Sequence, residues 1–272
     1  MEGQIVKIIS NDYFVKTNNK EYICKARGKF RQENITPKVG DFCLFDEKEK
    51  VINEIRPRKN TLSRPLVSNI DQAFIVTSLK SPDFSSNLLD KLICICTLNN
   101  IEPIICLTKK DLLGKNEYKD LKKVINYYKK LGIKVVYNKN INKIKKLLKH
   151  KTTVFTGQTG AGKSSLMNKL DKSLNFETNE ISKALGRGKH TTRTVSLVEI
   201  NNGKVLDTPG FSDIDLSVYK KEDIRDSFKE FKNKCKYTNC MHINEKECVV
   251  KELVNKNIIL KSRYENYIKF IK

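Results

Sequence analysis

The chain has 272 residues, 39% apolar and 31% charged, which is enough apolar material for a packed core and excludes a disordered chain. No run approaches the roughly 18 uninterrupted apolar residues of a membrane span, since the longest candidate, Leu88 to Leu98, is broken by Asp90 and Lys91. Forty-four Lys and nine Arg against thirty-one acids give a net charge of +22, which fits a polyanionic partner, although abundant Asn and Ile leave room for a lysine excess of AT-rich codon origin.

The first twelve residues carry no basic head followed by an apolar run, so a soluble, cytoplasmic protein without membrane attachment is expected. Residues 1–62 alternate in short apolar and polar stretches (QIVKIIS, YFVKT, EYICKA, DFCLFD, VINEIR), the rhythm of a small β-barrel. Within it, Lys25, Arg27, Lys29 and Arg31 surround Phe30. Exposed aromatics beside basic groups grip nucleic acid, while a merely solvated loop is the other reading of this segment.

From about residue 66 strands alternate with helices. AFIVTSL is a buried strand, SSNLLDKLICICTLNN a helix opened by a serine cap, and PIICLT the next strand. Thr108, Lys109, Lys110 and Asp111 (TKKD) follow that strand, where side chains emerge at the sheet's carboxyl edge. An aspartate there can accept from both N1–H and the exocyclic amine of guanine, a donor pair adenine lacks, and the Lys109 stem can lie over the ring. A helix around Tyr118 to Leu131, the strand IKVVY, a Lys-rich helix through Leu148 and the strand TTVFT complete a mostly parallel sheet. The charge is regional, because residues 109–151 hold fifteen Lys and three acids whereas residues 66–108 come to −2.

Gly157, Gln158, Thr159, Gly160, Ala161, Gly162, Lys163 and Ser164, followed by Ser165, fit G-x-x-x-x-G-K-[ST] between a strand and a helix. Glycines let successive N–H groups face phosphates, Lys163 meets the β and γ oxygens, and Ser164 can ligate Mg²⁺. A Gly-rich basic loop and the hairpin SLVEI-NNG-KVLDT come next. At its end Asp207 is placed to hold the Mg²⁺ shell and the Gly210 N–H to sense a γ-phosphate; alone DTPG would be an ordinary turn, but with the P-loop it reads as a switch.

Of eight cysteines, Cys24, Cys43, Cys94, Cys96 and Cys106 lie in strand- or helix-like apolar segments and are expected in the core. Cys235, Cys240, His242 and Cys248 (C-x₄-C-x-H-x₅-C) form a soft ligand set suited to tetrahedral zinc, and four protein ligands make such an ion structural. His150, in KHK, is expected at the surface.

The base-reading TKKD precedes the P-loop, the reverse of most GTPases. This order, with RGKFR…VGD, NIDQAFIV, TKKDLL, GQTGAGKSSLMN, GRGKHTTR, DTPGF and the Cys/His set, closely resembles the circularly permuted, ribosome small-subunit-dependent GTPase A (RsgA) family over nearly the whole chain. The resemblance implies an α/β multidomain architecture: an OB-type RNA-binding barrel at 1–62, a circularly permuted GTPase domain at 63–213 and a helical zinc domain at 214–272. It implies GTP hydrolysis to GDP on the small (30S) subunit and its 16S rRNA, late in subunit maturation, by a monomer with one structural zinc and Mg²⁺ bound with GTP. Thr192, or Thr191 beside it, matches the switch threonine that ligates Mg²⁺, and His190 the proposed catalytic histidine. Phe211 stands where many GTPases carry a water-orienting glutamine, so another group must orient the water. The family's Ser-Ala pair backing the guanine is replaced by VVYNKN, with Asn138 as the substitute. The alternative reading is a GTP-regulated RNA-binding switch acting on another RNA.

Overall fold

The computed structural model describes residues 1–18, 20–62, 65–172, 195–206, 215–232 and 235–272. Strands β1 (Glu2–Ile9), β2 (Asp12–Thr17), β3 (Lys20–Ala26), β4 (Phe42–Asp46) and β5 (Val51–Ile55) close into a barrel in the order β1-β2-β3-β5-β4. Alternation points Ile5, Val15, Cys24, Cys43, Phe45 and Ile52 inward, as period two requires. Phe30 corrects the sequence reading. It lies on the short helix α1 (Lys29–Gln32), and its ring is 3% exposed inside the barrel, so it is a core residue and not a stacking platform. Closing a five-stranded barrel requires a plug between β3 and β4, and the largest apolar side chain of that connection fills it.

The barrel is tied to the next unit by a short hairpin, β6 (Thr61–Leu62) with β7 (Val67–Ser68). Gly40 has φ +97°, and a Cβ there would stand 2.2 Å from the Ser68 carbonyl oxygen, so only glycine allows the approach. Beside it the buried Asp41 carboxylate accepts from Arg58 Nε and Nη2 (2.7 Å each), from the Ser68 hydroxyl (2.6 Å) and from the Lys38 N–H (2.7 Å). A buried carboxylate is tolerable because every acceptor site is used.

The second unit is a six-stranded sheet ordered β10-β9-β8-β11-β13-β12, from β8 (Gln72–Ser78), β9 (Glu102–Thr108), β10 (Lys134–Tyr137), β11 (Thr152–Gly157), β12 (Leu197–Ile200) and β13 (Gly203–Leu206). All pairs are parallel except the β12–β13 hairpin. The central strands β8 and β11 are buried throughout, which is why they read as unbroken apolar runs. Alternate residues feed opposite faces: Ala73, Ile75, Ile105 and Leu107 pack under α2 (Ser86–Leu98) and α3 (Lys115–Lys130), while Phe74, Val76, Ile104, Cys106 and Phe155 pack under α4 (Ile141–Leu148) and α5 (Lys163–Leu170). Ser85 caps α2 by accepting from the Leu88 N–H at 3.2 Å. All five cysteines expected in the core are buried.

The chain runs outward from β8 through β9 to β10 and returns to β11 on the other side of β8. That reversal places the topological switch point between β8 and β11, where open α/β sheets bind ligands at their carboxyl edge.

Helices α6 (Lys221–Ser227) and α8 (Lys261–Phe270) pack on α2, α7 (Val249–Asn255) packs on α8, and Ile224, Phe228, Phe231, Val250, Val254 and Tyr267 extend the sheet's own core. At the seam Arg263, 3% exposed, donates from Nη1 to Asp90 Oδ1 at 2.5 Å and from Nε to Glu230, while its guanidinium stacks 4.6 Å from the Phe228 ring. Asp90 also accepts from Asn266 Nδ2 and the Tyr128 hydroxyl, each at 2.7 Å. Burial pushes the Tyr128 hydroxyl well above the ordinary tyrosine value, which keeps its proton available to Asp90.

Candidate nucleotide site and metal centre

β11 ends at Gly157 with φ +126°, paired with Val76 of β8. A Cβ at Gly157 would stand 2.1 Å from the Val76 carbonyl oxygen, so the loop can leave the sheet only without a side chain there. Gly160 (φ +75°) and Gly162 (φ +90°) continue the curl into α5, whose first-turn N–H groups have no side-chain cap. Such a turn presents backbone N–H groups to an anion. Lys163 Nζ spans the loop, donating to the carbonyls of Gly157 (2.9 Å) and Gln158 (2.8 Å). Burial lowers its pKa, a penalty that phosphate oxygens within reach would reverse. Ala161 is buried against the α4–α5 face of the sheet, while Thr159 and Ser165 face outward.

The base-reading segment meets this loop through two side chains. The Thr108 hydroxyl, at the end of β9, donates to the Ala161 carbonyl at 2.8 Å. Lys109, in a left-handed conformation at φ +56°, donates from Nζ to the Gly160 carbonyl at 2.9 Å and to that of Ser81. Its aliphatic stem therefore runs from TKKD to the glycine-rich loop. Gln158 Nε2 adds a bond to the Asp83 carbonyl at 3.1 Å, drawing the β8–α2 connection into the same structure. Neither the Ser81–Asp83 segment nor this use of Gln158 carries a signal in the sequence.

Lys110 turns the other way. Its ammonium lies 4.2 Å from the Tyr118 ring and 5.3 Å from that of Tyr137, and the two tyrosine hydroxyls share a hydrogen bond at 2.9 Å. This holds the TKKD turn against β10 and α3. Asp111 is exposed at the mouth of an open cleft of about 460 Å³ that also takes in Tyr137, Asn138 and Lys139. A backbone N–H and the Lys139 ammonium, 3.5 Å away, hold its carboxyl below the ordinary range. It is thus ionised at neutral pH, the state that accepts two N–H donors. Asn138 continues the β10–β9 ladder by donating to the Leu107 carbonyl at 2.9 Å. It lines the same cleft as Asp111.

His190, Thr191, Thr192, Asp207, Gly210 and Phe211 lie outside the described residues. The preceding strand β13 runs parallel to β11, with Thr152 opposite Lys204 and Thr153 opposite Val205, and ends at Leu206.

Cys235, Cys240, His242 and Cys248 converge so that their ligand atoms lie within 4.8 Å of one another. His242 Nδ1 is 3.4, 3.3 and 3.4 Å from the Sγ atoms of Cys235, Cys240 and Cys248, and the Cys235 and Cys248 sulfurs are 3.7 Å apart. A tetrahedron with Zn–S of about 2.3 Å and Zn–N of about 2.0–2.1 Å has edges of about 3.8 and 3.6 Å, so the donors fit such an ion. Three outer contacts hold the loop. Glu245 accepts from the N–H groups of Met241 and Ile243 at 2.7 Å each, the Tyr264 hydroxyl donates to the His242 carbonyl at 2.6 Å, and the Tyr267 hydroxyl to that of Met241 at 2.6 Å. His150, by contrast, is exposed and far in sequence from this cluster, as expected.

Residues 55–217 match the family model described as RsgA GTPase, and residues 2–52 that described as RsgA N-terminal domain. The chain is 46% identical over 281 residues to the small ribosomal subunit biogenesis GTPase RsgA 2 of Oceanobacillus iheyensis, covering 99% of this chain and 96% of that protein. It is 46% identical over 277 residues, with the same coverage, to the small ribosomal subunit biogenesis GTPase RsgA of Clostridium novyi. Among solved structures it is similar to YloQ, a circularly permuted GTPase (TM-score 0.84, 33% identity, 99% of this chain and 93% of that one). It is also similar to YjeQ from Thermotoga maritima (TM-score 0.85, 33% identity, 99% and 96%).

Proposed function

This chain belongs to the RsgA family of circularly permuted GTPases, and we propose from that premise that it hydrolyses GTP to GDP and phosphate when docked on the small (30S) ribosomal subunit, assisting late maturation. The observation that carries the reading is the joining of the base reader to the phosphate loop by Thr108 and Lys109, which makes one continuous nucleotide seat from two distant segments.

In that seat Asp111 accepts from N1–H and the exocyclic amine of guanine, the Lys109 stem underlies the ring, and the N–H groups of residues 158–165 face the phosphates. Lys163 exchanges its loop carbonyls for β and γ oxygens and so opposes the charge that builds on the leaving diphosphate. Ser164, Thr192 and Asp207 are the residues that would hold Mg²⁺ bound with GTP, and the ion would supply positive charge against the phosphates. Phe211 has no polar atom to orient water, and His190 takes that role by aligning the attacking oxygen with the γ-phosphorus. Cys235, Cys240, His242 and Cys248 would hold zinc as a structural ion, which would staple the loop and supply no chemistry. Units 1–62, 63–213 and 214–272 serve as barrel, GTPase and zinc domains of a cytoplasmic monomer, with 16S rRNA as the nucleic-acid partner. Among the described residues no helix is long and apolar enough to cross a membrane.

Phosphate release from GTP and ATP, with isolated small subunits, large subunits or free tRNA, tests the reading. Small subunits alone should stimulate GTP turnover, and His190→Ala should lower the stimulated rate by about 10²-fold or more while leaving GDP affinity unchanged. Equal rates under every addition would leave the second reading, a switch acting on another RNA. A separate check concerns the base. Asp111→Asn should weaken GDP binding about 10- to 150-fold, the loss of charge-assisted hydrogen bonds, and narrow the gap to xanthosine diphosphate, whose 2-carbonyl an amide can meet. Wild-type GDP affinity in Asp111→Asn, read by fluorescence titration, would remove this residue from the site.

A further inference from the structure

At the opposite end of the sheet from the nucleotide seat, an open cleft of about 430 Å³ lies between the barrel, the linker and the β12–β13 turn. Three segments meet there, and their joints are specific: the His150 N–H donates to the Asn202 carbonyl at 2.9 Å, the Lys204 N–H to the Lys151 carbonyl at 2.9 Å, and Lys204 Nζ to Gln4 Oε1 of the barrel. The wall carries Lys59, His150, Lys151 and Lys204. Its acid is Asp71, and both oxygens of that carboxylate are occupied, one by Lys59 Nζ at 2.9 Å and the other by the Thr152 N–H at 2.8 Å. Positive charge therefore exceeds negative within a concave, hydrogen-bonding surface, where low-dielectric walls focus it.

The barrel side of the same cleft holds Phe42, the outward-facing first residue of β4, 41% exposed. Phe30, the aromatic the sequence offered for stacking, is inside the barrel, so Phe42 is the barrel aromatic that stands beside the basic groups. A phosphate-binding wall facing an exposed aromatic ring is the combination that takes single-stranded nucleic acid, backbone on one side and base on the other. A protein partner would be expected to meet a wider apolar surface, and a membrane a convex one.

We propose that this cleft is a single-stranded RNA site, in which a base stacks on Phe42 while the adjoining phosphates lie on Lys59, His150 and Lys151. The inference deepens the reading of RNA as partner and rests on that reading, and it places the contact away from the nucleotide seat.

The test uses the full-length protein with a labelled single-stranded RNA oligonucleotide, followed by anisotropy from 50 to 200 mM salt. Phe42→Leu, which keeps an apolar side chain but removes the ring, should weaken binding about 5- to 150-fold, the value of one stacked base. Lys59→Gln with Lys151→Gln should lower the salt slope by about 1.4, or 0.7 per phosphate contact. A charge-matched control, Lys122→Gln with Lys129→Gln on the exposed face of α3, should cost less than either. GDP affinity should be unchanged in all of them, which also reports intact folding. Equal losses from the cleft and the control pair, or wild-type binding by Phe42→Leu, would overturn the proposal, as would displacement of the oligonucleotide by low-millimolar inorganic phosphate, which would mean a small-anion site. Failure of small subunits to stimulate GTP turnover would count against the ribosomal function and leave this result standing.

Discussion

Arg263→Ala should lower the unfolding midpoint by about 6–20 °C. Removing the guanidinium leaves Asp90 and Glu230 as unpaired carboxylates inside the seam between α2 and α8, and breaking a buried ion pair by deleting one partner costs about 3–5 kcal/mol. In a chain of this size each kcal/mol moves the midpoint by about 2–4 °C. The same cluster makes a second result expected. Arg263→Met combined with Asp90→Leu, Glu230→Met and Tyr128→Phe should recover part of the loss, because apolar groups of similar size need no partners. Calorimetry of the two variants separates the possibilities. A midpoint within 2 °C of wild type for Arg263→Ala would show that water reaches these carboxylates and that the seam is not sealed.

Chelation of the metal should unfold the segment from about residue 235 to 248 and leave nucleotide binding intact. Structural zinc contributes about 10–16 kcal/mol in small zinc-binding peptides, far more than the hydrogen bonds of Glu245, Tyr264 and Tyr267 can supply in its place. Elemental analysis should find one zinc per chain, and limited proteolysis after chelation should cut first in this loop. Binding needs three thiolates and a neutral imidazole, so protons compete with the metal: it is held at neutral pH and lost as the solution is made acid. Cys240→Ser should reproduce the chelated behaviour without a chelator. Protein purified with no stoichiometric metal yet protected in this loop would rule out the ion as what closes it.

The P-loop was legible because its chemistry is encoded locally. A curl that exposes consecutive N–H groups needs glycine at fixed intervals, and Gly157, Gly160 and Gly162 all take positive φ. The Cys₃His set was legible for the same reason, since its four ligands fall within fourteen residues. TKKD was legible as a position at the end of a strand, but not in the roles of its lysines. Lys109 and Lys110 are neighbours of one type, and the left-handed turn at Lys109 alone sends one ammonium to the phosphate loop and the other onto two tyrosine rings.

Phe30 shows where local reading fails. A phenylalanine among four basic residues has the composition of a surface loop, yet the barrel needs a plug between β3 and β4, and that demand comes from strands elsewhere in the chain. Phe42 was the reverse case, an apolar residue opening a strand that closure of the barrel left facing a cleft.

The sequence by itself determined the family, the mostly parallel sheet, the glycine turn after β11 and the Cys/His cluster, because each rests on spacing along the chain or on periodicity within one element. Tertiary structure alone decided the union of Thr108 with Ala161 and the burial of Arg263 against Asp90, partners 53 and 173 residues apart. It also decided the meeting of Phe42, Lys59 and Lys151 in one cleft. These pairings are fixed by which strands and helices pack together, so no local pattern of charge or hydropathy announces them.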